Sequence, residues 1–140
     1  MTMINPYDQY RRIATETADP VELVLMLYRG AIRNLEVAEA ALERRDSSQA
    51  HESLVKTQNI VAELMGTLNL DAGELAHNLH RLYDYMQRRL LLANLRKDAA
   101  PAAEVRGMLT DLLATWEELA QRYRAARAVQ PALVGVRGAA

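Results

Sequence analysis

Glu74-Leu75-Ala76-His77 is the segment whose spacing comes nearest to metal chemistry. A Glu and a His three positions apart share one helix face, and di-iron sites in helical bundles take such a pair from each of two helices plus a Glu from each of the other two. The second pair is missing: the residue three before His51 is Ser48, and the residue three before His80 is His77. His77 and His80 together offer two nitrogens, short of the four ligands of a structural zinc site. The chain has no cysteine, which removes thiolate ligands, disulfides and cysteine nucleophiles. There is no Gly-x-Ser-x-Gly elbow and no glycine-rich phosphate loop following a strand. Tyr83-Asp84-Tyr85 sets two phenols about 200° apart around a helix, so Tyr83 falls on an apolar stripe while Tyr85 is left for solvent or a partner. Arg88-Arg89 can pair with acids on a neighbouring helix or hold a ligand carboxylate. These residues predict a non-enzymatic chain with no cofactor and no metal.

The elements that position these residues are helical. The chain has 140 residues, a length that suits one domain. Half of it is hydrophobic, Phe is absent, and only six Gly and four Pro interrupt it. Asp19, Pro20 and Glu22 form a start signal for a first helix reaching about Arg44. Val21, Val24, Leu25, Tyr28, Ile32, Leu35 and Leu42 make its main stripe, and Gly30 in its interior suggests close approach of a neighbour. Asp46 and Gln49 open a second helix ending near 68–70, with Leu54, Val61, Leu64 and Leu68 on its main face. Asp71 and Glu74, with Gly73 between them, signal a third helix carrying Leu75, Leu79, Leu82, Tyr83, Met86 and Leu90. Pro101 opens a fourth, whose stripe of Val105, Met108, Leu109, Leu112, Trp116, Leu119 and Tyr123 is the cleanest of all, with an end near Arg127. Four such helices with short links predict an all-α antiparallel four-helix bundle over residues 19–127. Residues 1–18 read as an arm that docks on the bundle, and 128–140 as a mobile tail.

Seventeen basic residues face eighteen acidic ones, and only Lys56 and Lys97 are lysine. The near-zero balance disfavours nucleic-acid binding. The arginine preference fits either a GC-rich genome or a need for bidentate contacts. The longest strongly apolar run, Val24 to Tyr28, is far short of the ~20 residues of a membrane span, and no signal peptide is visible. The expected location is the cytoplasm.

One feature exceeds what a simple bundle needs. A helix facing one core requires one apolar stripe, yet the first and third helices carry nearly two: Leu23, Met26 and Leu27 on one, Leu91, Leu92 and Leu95 on the other. Periodicity leaves three explanations open: wide burial, a homodimer, or a groove for an amphipathic partner with Met26 lending adaptability. Tyr7, Tyr10 and Ile13, spaced by three in the arm, are suited to covering such a groove when it is empty.

Several segments together resemble the flagellar secretion chaperone family FliS: Asn5-Pro6-Tyr7-Asp8-Gln9-Tyr10, the run from Pro20 to Ala31, Lys56 to Val61, Tyr83 to Asp98 (YDYMQRRLLLANLRKD), and Glu104 to Gly107 followed by Trp116. The resemblance extends from residue 5 to about 120. It implies a chaperone that wraps the disordered C-terminal region of flagellin, prevents its premature polymerisation and presents it to the flagellar export gate. It also implies an arm that occupies part of the binding surface until flagellin displaces it. The partner-binding residues expected on this basis are Tyr7, Tyr10, Leu23, Met26, Leu27, Gln58, Asn59, Tyr85, Arg89, Leu92 and Asn94. The free protein is expected to be a monomer or weak homodimer, and glutamate at Leu27 or Tyr85 is expected to abolish binding without unfolding the bundle.

Overall fold

The computed structural model describes the backbone of residues 20–139 and the side chains of residues 20–126. The chain forms α1 (Pro20–Glu43), α2 (Ser47–Gly66), a 3-10 turn (Leu70–Ala72), α3 (Glu74–Arg96) and α4 (Ala99–Ala139). The all-α four-helix bundle expected from periodicity is the fold. Each helix lies against two neighbours: α1 on α2 and α4, α3 on α2 and α4, with α1 and α3 on a diagonal. The directions alternate. Glu22, Arg29 and Glu39 along α1 meet Arg124, Glu117 and Arg106 in reverse order along α4. His51 and Gln58 on α2 likewise meet Asn94 and Gln87 on α3.

The core is aliphatic with a tyrosine pair at its centre. Leu27, Leu35, Leu54, Val61, Leu64, Met86, Leu90 and Leu109 are fully buried. α1 and α2 share the most extensive seam. α1 buries Gly30, Ala31, Ala38 and Ala41, and α2 buries Ala50, Ser53 and Thr57. Small side chains let two backbones approach closely; Gly30 is buried too, at a propensity cost of about 1 kcal/mol within α1. The buried Thr57 hydroxyl donates to the Ser53 carbonyl at 2.8 Å, so no polar group is stranded there.

Local signals account for most of the helix ends. The Asp46 side chain accepts from the Gln49 N–H at 3.0 Å, the cap its spacing predicts. Asp98 does the same for Ala100, so α4 starts two residues before Pro101. Asp71 does not cap α3. It sits in the 3-10 turn, where Asn69 accepts its N–H at 3.1 Å, and Gly73 takes φ 116°, a conformation that side chains rarely adopt. The backbone of α4 continues helical to Ala139, past the end placed near Arg127; Ala and Arg between 124 and 128 favour the first turns of that extension, while Pro131, Gly135 and Gly138 oppose the rest. Tyr7, Tyr10 and Asp19 lie outside the described residues.

α1 and α3 end on left-handed residues that carry side chains: Arg45 at φ 60° and Lys97 at φ 52°. Lys97 lies just beyond α3, and its N–H bonds the Ala93 carbonyl, as a glycine would at this position. Left-handed geometry costs an L-residue roughly 1–2 kcal/mol, partly offset by glycine's greater freedom in the unfolded chain. Lys97→Gly is therefore expected to stabilise the bundle by about 0.5–1 kcal/mol, seen as a higher urea midpoint at unchanged slope.

Candidate functional site

The apolar stripe of α4 is longer than the wall it packs on. Its lower part passes the first turn of α1, where Leu119 is 48% and Tyr123 45% exposed. An open groove results at this end of the bundle, in two lobes. The first, of about 410 Å3, lies between α1 and α4 and is lined by Pro20, Val21, Val24, Trp116, Leu119, Ala120 and Tyr123. The second, of about 370 Å3, reaches under the end of α2 and is lined by Pro20, Leu23, Val24, Thr67, Leu68, Tyr83 and Trp116. Pro20, Val24 and Trp116 border both lobes. Leu75 on the first turn of α3 is 71% exposed, and Leu70 in the preceding turn is also exposed. A cleft lined almost wholly by apolar groups suits the apolar face of another chain, with water released on contact.

Beneath the groove three aromatic residues from three helices meet. The Tyr28 and Tyr83 hydroxyls share a hydrogen bond of 2.5 Å, and Tyr28 lies 6.4 Å from both Tyr83 and Trp116 by ring centroids, tilted in each case. Burial disfavours the phenolate and raises the pKa of both tyrosines. Ion pairs brace the α1–α4 seam outside the groove: Arg124 with Glu22 at 2.6 Å, Arg29 with Glu117 at 3.3 Å, and Arg106 with Glu39 through two nitrogens.

The residues singled out from the sequence fall in different places. Leu23 lines the second lobe. Leu27 is 0% exposed and belongs to the core, which corrects its expected place on a binding surface. α1 is packed on both flanks, so Leu27 of its second stripe is needed inside the bundle. Met26 and Leu92 are half-buried, and Leu91 and Leu95 are exposed at 50% and 73%. Gln58 accepts from Gln87 through its backbone carbonyl at 2.8 Å, Asn59 is exposed, and Asn94 donates to His51 at 2.9 Å. These polar residues mark the α2–α3 seam, where Gln87 Oε1 is buried without a partner.

Tyr85 and Arg89 are brought together on Glu104 of α4. The Tyr85 hydroxyl donates to Oε2 at 2.7 Å and Arg89 Nε to Oε1 at 2.6 Å. The hydrogen bond from Tyr85, then that from Arg89, hold the Glu104 carboxyl below the usual carboxylate range; the same bond raises the Tyr85 phenol. Glu104, with its lowered pKa, adds stability above the unfolded carboxylate range that fades as pH falls. Tyr85, with its raised pKa, adds stability below the unfolded phenol range that fades as pH rises. The latch is solvent-exposed and so small. Glu104→Gln is expected to reduce stability slightly at pH 7 and to leave it unchanged at pH 2.5, measured by urea denaturation at both.

Pro20, Val21, Val24, Leu68, Trp116, Leu119 and Tyr123 line the groove and were not singled out as binding residues. Periodicity alone reads all of them but Pro20, a helix-start residue, as core; what exposes them is where the neighbouring helices begin and end. Among the described residues, no group of three His, Cys, Asp or Glu is placed to hold a metal, and no helix is long and apolar enough to cross a membrane.

Fold and groove together define a small four-helix bundle with an apolar cleft at one end. Its sequence matches the family described as flagellar protein FliS over residues 3–123, and the chain belongs to that family. It is 41% identical over 124 residues to the flagellar secretion chaperone FliS of Bacillus subtilis, covering 89% of this chain and 92% of the relative. It is 40% identical over 111 residues to that of Salmonella typhimurium, covering 78% and 82%. With the flagellar secretion chaperone FliSB of Pseudomonas aeruginosa it shares 32% identity over 114 residues, covering 78% and 90%.

Proposed function

We propose that this protein is a cytoplasmic export chaperone that binds the C-terminal segment of flagellin, keeps it from polymerising and delivers it to the flagellar export apparatus. The relatives named as secretion chaperones support the role. The observation that carries the binding mode is the two-lobed apolar groove around Trp116. Flagellin's segment enters disordered and folds as it docks, which costs about 2–5 kcal/mol or more of the gross interaction energy. Apolar burial in the groove offsets that cost. From the groove the segment continues along the bundle past Met26, Gln58, Asn59, Tyr85, Arg89, Leu92 and Asn94. In the free protein the arm with Tyr7 and Tyr10 competes for the same surface, because the chain reaches the groove at Pro20. The role needs no catalysis and no cofactor.

Calorimetry with the flagellin C-terminal segment tests this. A 1:1 complex with a negative heat capacity of binding is expected. Absence of heat together with absence of co-elution would overturn the proposal. The exposed Leu91 and Leu95 favour a second reading, a homodimer through α3. Light scattering separates the two: a dimer that persists in the presence of flagellin supports the second.

A further inference from the structure

α4 outruns its neighbours, so something besides core packing must hold its lower turns beside α1. Ala120 is the last buried residue of α4 among the described side chains, and Leu119 and Tyr123 around it are nearly half exposed. The first lobe separates this α4 wall from Val21 and Val24 of α1. Dispersion contacts act only at touching distance, so an open cleft cannot fix the separation of its own walls.

Four charges of alternating sign cross the seam at this level. Arg124 Nη2 meets Glu22 Oε2 at 2.6 Å, Glu22 Oε1 meets Arg29 Nη1 at 3.6 Å, and Arg29 Nη2 meets Glu117 Oε2 at 3.3 Å. Val21 and Glu22 are consecutive and so stand about 100° apart around α1. The valine therefore turns to the lobe while the carboxylate takes the outer side of the seam. Tyr123 and Arg124 repeat this arrangement on α4. The two crossings are not equivalent. Glu117 stands between Leu113 and Ala120, which are packed into the bundle. Arg124 stands one turn beyond Ala120, where α4 buries nothing more among the described side chains. An isolated exposed pair contributes little, but here the charges share partners in a network and the Glu22 side chain is only 28% exposed.

We propose that Glu22 is a positioning residue of the groove: its carboxylate straps Arg124, and with it the overhanging turns of α4, to the start of α1, and so sets the width of the first lobe. Its value for binding rests on the groove being the docking site. Glu22 lines neither lobe, so it acts through Arg124 rather than by contact with a docked segment. The strap is electrostatic and lies at the surface, so added salt screens it.

The test compares Glu22→Gln, Arg124→Gln, the double variant and Glu117→Gln in the full chain. The core is untouched in each, so far-UV circular dichroism should match the parent. Trp116 borders the lobe, so its quenching by acrylamide, which carries no charge, reports how open the lobe is. Glu22→Gln and Arg124→Gln are each expected to raise quenching of the free protein about twofold, and the double variant no further, as for two ends of one strap. Glu117→Gln is expected to change it by less than half as much. Quenching of the parent should rise as NaCl goes from about 20 mM to about 1 M, and that of Glu22→Gln should not. Unchanged quenching in Glu22→Gln, or additive effects in the double variant, would overturn the strap. Affinity for the flagellin C-terminal segment is expected to fall about threefold in Glu22→Gln. Raised quenching at parental affinity would uphold the strap and show that the segment docks elsewhere.

Discussion

Glutamate at Leu119 is expected to weaken binding of the flagellin segment about a hundredfold while leaving the bundle folded. Leu119 lies on the α4 wall of the first lobe and is nearly half exposed in the free protein. A carboxylate there remains solvated as long as the groove is empty, and surface changes of this kind move stability by about 0.5 kcal/mol. Docking an apolar face would force the charge out of water with no cation placed to meet it inside the lobe. The lining of that lobe is aliphatic and aromatic throughout. A penalty of roughly 3 kcal/mol corresponds to about a hundredfold loss of affinity. Calorimetry gives the affinity and urea denaturation the stability; a parental affinity would place the segment outside this lobe.

Leu27 is expected to behave in the opposite way. Its side chain is fully enclosed in the core cluster with Tyr28, Leu35, Leu54 and Leu64. Truncation to alanine leaves a cavity and should cost about 2–5 kcal/mol. That is a large share of the roughly 5–15 kcal/mol that keeps a domain folded. Glutamate buries an unpaired charge instead and should unfold the bundle outright. Urea denaturation of Leu27→Ala measures the first, and circular dichroism of Leu27→Glu the second. Survival of Leu27→Glu as a stable helical protein would mean that this side chain faces solvent after all.

The contrast between Leu119 and Leu27 shows what the sequence could reveal. Helix number, type and most starts were legible, because 3.6-residue periodicity and side-chain caps are local. Asp46 bonded to Gln49 is one such case. Which apolar residue is core and which is surface was not legible, because that depends on how far each neighbour extends. Leu27 belongs to a second stripe that looks surplus until α1 is seen to be packed on two flanks. Leu119 and Tyr123 continue a core stripe without interruption, yet they lie where α1 is only beginning. The Tyr85–Arg89–Glu104 latch was hidden for a related reason: the arginine signalled a need for an acid, but only helix register selects which one. The pairing of Tyr28 with Tyr83, 55 positions apart, has no local signature at all.

The measurement that bears most directly on the groove is a titration of the whole protein with a tryptophan-free C-terminal segment of flagellin, followed by emission of Trp116. The protein contains one tryptophan, and it borders both lobes, so the signal reports on this site alone. A saturable blue shift reaching its end at one segment per chain, with reduced acrylamide quenching, is the predicted result. Binding seen by calorimetry at the same concentrations with Trp116 emission and quenching unchanged would contradict it.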